Sequence, residues 1–479
     1  MKIKAIAVWD IAIAFFSSMP YVSCQFTINR RWMRYIINIK KSKEKNMQYR
    51  LYAPKAMDCT IDLPASKSIS NRALIINALS GSKETPENLS DCDDTDVMVN
   101  ALRDMPYEIN IKAAGTAMRF TTALLSVTEG EEHVITGTDR MKHRPIEVLV
   151  NALRNLGADI EYAGEEGFPP LKIRGKKLAG GLLEIPGNVS SQYISALLMI
   201  GPRLTNGLTL RLTGDIISRP YIEMTICTMQ EYGADAEWTD GSTIRVKAGG
   251  YKERAFFIEN DWSASSYWYE MAALMNVATN TQHPSPKSQI TLTGLMDGSR
   301  QGDSAIRYMF SVLGVKTAFA TRKKLVPTNV ALKAQKCTMP RFDFDFINQP
   351  DLAQTLVVCT ALMGIPFRFT GLQTLRIKET DRIAALKKEM KKLGYVLDDS
   401  EEGVLSWDGT RCEPDAEPAI DTYEDHRMAM AFAPAAILFP GLIINNPEVV
   451  SKSYPRFWED LRKAGYQTLP LTPPIKGGE

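Results

Sequence analysis

Histidine is scarce in this chain, four in 479 residues, and the seven cysteines (Cys24, Cys59, Cys92, Cys227, Cys337, Cys359 and Cys412) are odd in number, scattered and never spaced C-x-x-C. A zinc site needs clustered thiolates and imidazoles, and a disulfide framework needs paired, regularly placed cysteines, so neither organises this protein. The cysteines read instead as small core residues. An excess of one charge is also missing: 57 Lys plus Arg stand against 55 Asp plus Glu, a formal net charge of +2. That balance excludes the broad basic surface of a nucleic-acid binder, so functional basicity must be local. After residue 46 no apolar run reaches the roughly 18 residues that cross a bilayer. What is present, 44% hydrophobic and 23% charged residues, suits a folded chain whose length calls for two or three domains.

Residues 1–46 differ from the rest. Lys2 and Lys4 lead into an apolar stretch that Asp10 splits, and Arg30, Arg31, Arg34, Lys40, Lys41, Lys43 and Lys45 follow without a small-residue cleavage pattern. The segment is read as an extension outside the folded body, with Met47 the natural beginning.

A repeat organises the remainder. The segments VLVNALRNLGADIEY, MTICTMQEYGADAEW, IRYMFSVLGVKTAF, IAALKKEMKKLGYVLDD and RFWEDLRKAGYQTL each run from a helical pattern through a glycine into a strand-like stretch. Their glycines, Gly157, Gly233, Gly314, Gly394 and Gly465, recur at intervals of 76, 81, 80 and 71 residues and stand where a helix exits through a left-handed residue. A sixth copy, VMVNALRDMPYEINI, carries Met105-Pro106 instead. Between these lies a second helix series opening at Ser66, Gly115, Ser190, Ser263, Asp351 and Asp425, each followed by apolar residues at helical spacing. Six strand-helix-strand-helix-strand units follow, best housed in two similar halves with a ligand cleft between them.

Helix openings attract anions through their free N–H groups, and several here also carry cations. The first, Leu63-Pro64-Ala65-Ser66-Lys67-Ser68-Ile69-Ser70-Asn71-Arg72, places a lysine at the turn and an arginine one and a half helical turns on. The second leaves backbone bare at Gly115, and Arg140-Met141-Lys142-His143-Arg144-Pro145 follows, with Pro145 suited to a first helical position. The third, Asn188-Val189-Ser190-Ser191-Gln192, and Ser218-Arg219-Pro220-Tyr221 offer hydroxyl and amide groups and an aromatic platform. In the second half Gln349-Pro350-Asp351 reads as a helix cap. Arg376-Ile377-Lys378-Glu379-Thr380-Asp381-Arg382 holds three cations, with Thr380 or Asp381 as the cap of the next helix. Asp425-His426-Arg427 and Lys452-Ser453-Tyr454-Pro455 close the series. An almost neutral chain thus gathers Lys67, Arg72, Arg144, Lys378, Arg382, Arg427 and Lys452, which implies a ligand with more than one phosphate or carboxylate. Asp351 and Glu379 are the carboxylates available for proton transfer.

Nine stretches in this order, LPASKSISNR, AAGTAMRF, RMKHRPI, NVSSQY, ISRPYIE, NQPDLAQT, RIKETDR, EDHRMAM and SKSYPRFW, resemble the 3-phosphoshikimate 1-carboxyvinyltransferase (EPSP synthase) family from about Met47 to about Thr468. The resemblance implies an α/β (α+β), two-domain enolpyruvyl transferase fold. Each domain would have three βαβαββ units, with the active site in the interdomain cleft. Residues 65–258 would form the first domain, 47–64 with 259–470 the second, and 471–479 a tail. It implies that shikimate 3-phosphate is held by Lys67, Ser68, Arg72, Ser190, Ser191, Gln192, Ser218, Asp351 and Lys378. Phosphoenolpyruvate would lie against Lys67, Gly115, Arg144, Gln192, Arg382, Arg427 and Lys452. Asp351 would take the proton of the 5-hydroxyl, and Glu379 with Lys67 would protonate the methylene carbon, in an addition–elimination that needs no metal or organic cofactor. A monomer acting in the cytoplasm on these two small substrates, with no nucleic-acid or membrane partner, completes the expectation. Gly115 implies that glyphosate, the family's phosphoenolpyruvate-site inhibitor, still fits. The chain departs from the family pattern at Ala113 and Thr374, where asparagine is usual, and at Phe120, where proline is common. The alternatives are the sister enzyme acting on UDP-N-acetylglucosamine, whose first loop carries Lys-Asn where this chain has Lys67-Ser68, and a non-catalytic phosphometabolite-binding relative, which would have lost Asp351 or Glu379.

Overall fold

The computed structural model describes residues 47–279, 288–321 and 323–471. The expectations for residues 1–46, Cys24 and the tail beyond Leu471 lie outside the described residues.

The strands begin with β1 (Gln48–Tyr52), β2 (Asp58–Asp62), β3 (Glu108–Asn110), β4 (Glu132–Thr136), β5 (Asp159–Tyr162) and β6 (Leu171–Arg174). They continue with β7 (Gly181–Pro186), β8 (Leu208–Thr213), β9 (Ala236–Trp238), β10 (Thr243–Val246), β11 (Gln289–Met296), β12 (Val315–Phe319) and β13 (Pro327–Ala334). The last are β14 (Phe342–Asp345), β15 (Phe367–Thr370), β16 (Leu405–Trp407), β17 (Ala419–Ile420), β18 (Leu442–Asn445) and β19 (Gln467–Leu471). They form five small sheets ordered β3-β4-β6-β5, β7-β8-β10-β9, β2-β11-β13-β12, β14-β15-β16 and β17-β18-β1-β19. One pattern recurs: the first two strands are parallel, and the others join antiparallel. Parallel neighbours need a crossover, and in each unit a helix of the second series supplies it.

Those crossover helices are the most buried. Ala353–Leu362 is buried along its whole length, Gln354, Thr355 and Thr360 included, as expected of a helix enclosed by others. The repeat helices are amphipathic instead: in Arg382–Lys392 residues Ile383, Leu386 and Met390 turn inward, Lys388 and Lys391 face solvent, and Lys391 and Lys392 complement the negative helix end. Gly157, Gly233, Gly314, Gly394 and Gly465 all lie between φ +82° and +99°, and Met105 takes the same left-handed region at +35°. A side chain with Cβ resists that conformation, which is why glycine recurs there.

The buried apolar side chains form two separate cores, one drawn from Ala65–Ile258 and the other from Leu51–Leu63 together with Trp262–Tyr466. Strand β2 pairs with β11 although the whole first core lies between them in sequence. The chain leaves and returns at one place: Ala65 bridges Asn260, Ser66 N donates to Glu259 O (2.9 Å) and Asp261 N to Pro64 O (2.8 Å).

Six repeats predict six sheets, and among the described residues five are formed. In the unit holding the helices Lys67–Ser80 and Asp93–Asp104, the segment after the first helix makes only the single bridge Glu87↔Phe257. Pro86 lacks a ladder donor and Asn88 sits at φ +57°, so that stretch cannot continue as a strand.

Candidate active site

In the second lobe, Asp425 caps the helix His426–Phe432 by accepting from Arg427 N (2.9 Å). The capping carboxylate is wholly buried, so it needs a cation, and Arg382 Nε supplies it at 2.7 Å. Arg382 is itself 1% exposed and also reaches Glu379 (2.8 Å) and Asp351 (3.1 Å), one guanidinium serving three carboxylates. Asp381 caps the helix that Arg382 opens by accepting from Ala384 N (3.0 Å). Asp351 is not the cap its position suggests. It lies in the single 3-10 turn Pro350–Leu352 and makes no cap bond; instead it faces Arg427 Nη2 (2.9 Å), Arg382 Nη1 (3.1 Å) and Lys378 Nζ (3.8 Å). Burial alone would raise its proton affinity, but the charges of Arg427, Lys378 and Arg382 outweigh it and hold the carboxyl well below the usual range. Glu379 is depressed in the same way, burial being overcome by Arg382, Arg144 and Lys378. Burial, with Lys67 and Arg427, keeps the His426 imidazole neutral.

In the first lobe, Ser66 caps the helix that begins at Lys67, and Lys67 Nζ lies 3.3 Å from Asp94. Burial disfavours the Lys67 charge, yet Asp94, Cys92 and Glu379 together raise its proton affinity above that of an ordinary lysine. Gly115 opens the helix Gly115–Ser126; a Cβ there would stand 2.6 Å from Arg144 Nη1 and 2.7 Å from Arg119 Nη1. Burial and the neighbouring Arg119 push Arg144 down to about 10. Ser190 caps the helix Ser191–Ile200, and Gln192 Nε2 donates to Thr116 Oγ1 (3.0 Å), tying the second and third openings together. Arg72 turns into the lobe interior, donating to Thr225 (2.7 Å), Ser68 O (2.8 Å), Ser195 (3.1 Å) and Tyr221 O (3.3 Å), and stacks over Phe120 at 5.4 Å. Pro145 does not open a helix: the next one starts at Glu147, after Ile146.

The two lobes touch across the site. Ser218, at φ +53°, donates its N–H to Ile347 O (2.8 Å). Tyr221 Oη lies 3.2 Å from Asp303 and 3.4 Å from Asp351. Arg140 pairs with Glu424 (3.1 Å), whose carbonyl accepts from Lys452 Nζ (3.3 Å), and Ser451 donates to Asp93 (2.6 Å). Asp94 and Asp303 were not singled out from sequence. Asp94 lies in an acidic run that reads as the polar start of a helix; Asp303 follows the Gln301-Gly302 turn, the only local hint of its place. Among the described residues no group of three or more His, Cys, Asp or Glu could hold a metal ion.

Where the lobes meet, buried cations thus stand beside two carboxylates, Asp351 and Glu379, that stay ionised, an arrangement suited to moving a proton beside a multiply charged anion. The EPSP synthase (3-phosphoshikimate 1-carboxyvinyltransferase) family model matches residues 51–111 and 106–461. The chain belongs to the EPSP synthase family. A 3-phosphoshikimate 1-carboxyvinyltransferase of Bacteroides fragilis is 58% identical over 420 residues, 88% of this chain and 98% of that one. An EPSP synthase structure from Acinetobacter baumannii aligns with a TM-score of 0.70 at 21% identity, covering 88% of this chain and 100% of that one. The enolpyruvyl transferase NikO from Streptomyces tendae aligns at 0.66 and 16% identity, over 90% and 100%. The fold of this EPSP synthase family member is therefore the two-domain enolpyruvyl transferase fold, with small mixed sheets and buried crossover helices.

Proposed function

We propose that this chain transfers the enolpyruvyl group of phosphoenolpyruvate to the 5-hydroxyl of shikimate 3-phosphate, releasing phosphate, and that the cleft between its lobes is where it does so. The supporting observation is Asp351, a carboxylate facing three cations at a point where both lobes meet. Alone in the cleft Asp351 is a weak base, because those cations stabilise its ionised form. A bound phosphate or carboxylate draws on the same cations, weakens their hold on Asp351 and raises its proton affinity as the substrates arrive.

Asp351 then takes the 5-hydroxyl proton as that oxygen attacks C2 of phosphoenolpyruvate. The π pair of the C2–C3 bond takes a proton at C3 from the Lys67 ammonium, which is charged before the step and is left as a neutral amine near the carboxylate of Glu379. The neutral Lys67 amine then takes a proton back from C3, the C–H pair re-forms the C2–C3 double bond, and phosphate leaves with the C2–O bond pair. Arg144, Arg382, Arg427 and Lys452 hold the phosphoenolpyruvate side with Gly115 and Gln192. Lys378, Ser68, Arg72, Ser190, Ser191 and Ser218 hold shikimate 3-phosphate. Charge developing on the tetrahedral adduct meets donors already in place, which lowers the barrier without reorganisation.

The two cores support domains at 65–258 and at 47–64 with 259–470. A monomer in the cytoplasm completes the reading; no helix among the described residues is long and apolar enough to cross a membrane. The test is phosphate release on mixing the protein with shikimate 3-phosphate and phosphoenolpyruvate. Release is expected with this pair and not when UDP-N-acetylglucosamine replaces shikimate 3-phosphate. No release by the full chain and by a chain starting at Met47 overturns the assignment.

A further inference from the structure

Asp303 lies in the 3-10 turn Gly302–Ala305 of the second lobe and is 2% exposed. Its carboxylate accepts from Ser263 Oγ and from Tyr221 Oη, the latter at 3.2 and 3.4 Å. Tyr221 belongs to the other lobe, and its Oη is also 3.4 Å from Asp351 Oδ2. One phenol proton cannot serve two carboxylates at once. Burial, with Asp303 and Asp351 beside it, raises the Tyr221 phenol well above its ordinary value, so it keeps that proton.

The shorter contact directs the proton to Asp303. The Tyr221 oxygen then turns a lone pair toward Asp351. While Asp351 is ionised that contact sets lone pair against lone pair. Once Asp351 carries a proton, its O–H meets an acceptor already aimed at it. The network is therefore complementary to the protonated state of Asp351, the state reached as the substrate hydroxyl attacks.

We propose that Asp303, acting through Tyr221, is a positioning residue that raises the proton affinity of Asp351 during the addition step. This rests on the reading of Asp351 as the base. In the step, the substrate O–H bond breaks, its proton passes to Asp351, and the oxygen's electron pair forms the bond to C2. Asp303 keeps its charge throughout.

The charged and titratable groups facing Asp303 are Asp351, Arg427, Asp261 and Tyr221, with the Ser263 hydroxyl. Burial, with Asp351 next, pushes its carboxyl up to about 6. Below that pH Asp303 carries a proton and donates it to the Tyr221 oxygen; the phenol O–H turns to Asp351 and stabilises its ionised form. Activity then falls on the acid side.

Steady-state phosphate release from Asp303→Asn, Tyr221→Phe and the double variant tests this, with wild type as the control for the reaction itself. Asp303→Asn is expected to lower kcat roughly ten- to a hundredfold, with KM for both substrates within about threefold, and to lose the acid limb near pH 6. The double variant should be no slower than Tyr221→Phe alone, because Asp303 acts only through the phenol. A kcat for Asp303→Asn within threefold of wild type, an unchanged acid limb, or a double variant slower by the product of the two single effects overturns the proposal. If Asp303→Asn does not fold, Tyr221→Phe decides: it should slow kcat and flatten the same limb, and a wild-type profile refutes the idea. An inactive wild type would instead overturn the assignment of the reaction.

Discussion

Replacing Asp351 by asparagine keeps the side chain's size and removes its charge from among Arg427, Arg382 and Lys378, at 2.9, 3.1 and 3.8 Å. Two consequences separate. An amide cannot accept the hydroxyl proton, so kcat should fall by about two to four powers of ten, roughly 3–5 kcal/mol of barrier. The three cations also lose their shared partner; breaking such a pair costs about 3–5 kcal/mol when fully buried, and the lower figure suits a carboxylate that is 21% exposed. The free variant should therefore unfold at a lower temperature than wild type. Anionic substrates would neutralise the same cations, so phosphoenolpyruvate with shikimate 3-phosphate should restore most of the loss. Thermal unfolding with and without both ligands, beside single-turnover phosphate release, measures both effects. A kcat within threefold of wild type would remove Asp351 from proton transfer. Loss of ligand-induced stabilisation along with turnover would make it a substrate holder instead.

Gly115→Ala puts a Cβ where Arg144 Nη1 would be 2.6 Å away, and the flexible guanidinium must shift. KM for phosphoenolpyruvate should rise about tenfold, ~1.4 kcal/mol, with glyphosate inhibition weakened alongside; an unchanged KM contradicts the placement of Arg144 on that substrate. Glu270 is wholly buried, and neither carboxylate oxygen has a hydrogen-bond partner, so burial holds its proton affinity well above the ordinary value. A carboxyl that binds its proton more tightly when folded contributes stability that declines as pH rises from its unfolded value near 4.3 through its folded one. Glu270→Met should therefore be more stable than wild type at pH 7, by about 1–3 kcal/mol in denaturant titration, with a flatter pH dependence above pH 4.3; equal or lower stability refutes this. The Arg140–Glu424 pair spans the lobes at the surface. Arg140→Ala should change substrate KM by no more than ~1 kcal/mol, a few-fold, and the difference should vanish in high salt; a large effect that survives salt would show a role beyond the ion pair.

The periodic glycines and helix openings were legible in the sequence because both are local: a left-handed exit and a capped, apolar helix start each leave a mark within a few residues. The five glycines at positive φ and the Ser66, Ser190, Asp381 and Asp425 caps follow that logic. Asp351 was legible as a helix-opening carboxylate but not as a partner of three cations, since those come from segments 27 to 76 residues away along the chain. Arg72 was likewise legible as a cation one and a half helical turns past the first opening, but its bonds to Thr225 and Ser195, residues of later helices, were not. Asp303 left almost no trace, because its importance comes from a phenol on the opposite lobe. The sixth sheet that the repeat predicts is not formed among the described residues for a local reason that outweighs the repeat, Pro86 and the left-handed Asn88.

The point where the chain leaves the second lobe and returns to it, with Asp261 N on Pro64 O at 2.8 Å, makes the first lobe a cassette whose chain connections to the second pass through a single seam. Splicing Pro64 to Asp261 would need almost no rebuilding, and β2 would then lead straight into the helix Trp262–Thr279 and on to β11. Such a shortened chain keeps its own core and three sheets but loses Lys67, Gly115, Arg144 and Tyr221, half of the cleft. The same seam would accept a first lobe from another member of the family, so substrate preference could be exchanged by transplanting one contiguous stretch of sequence.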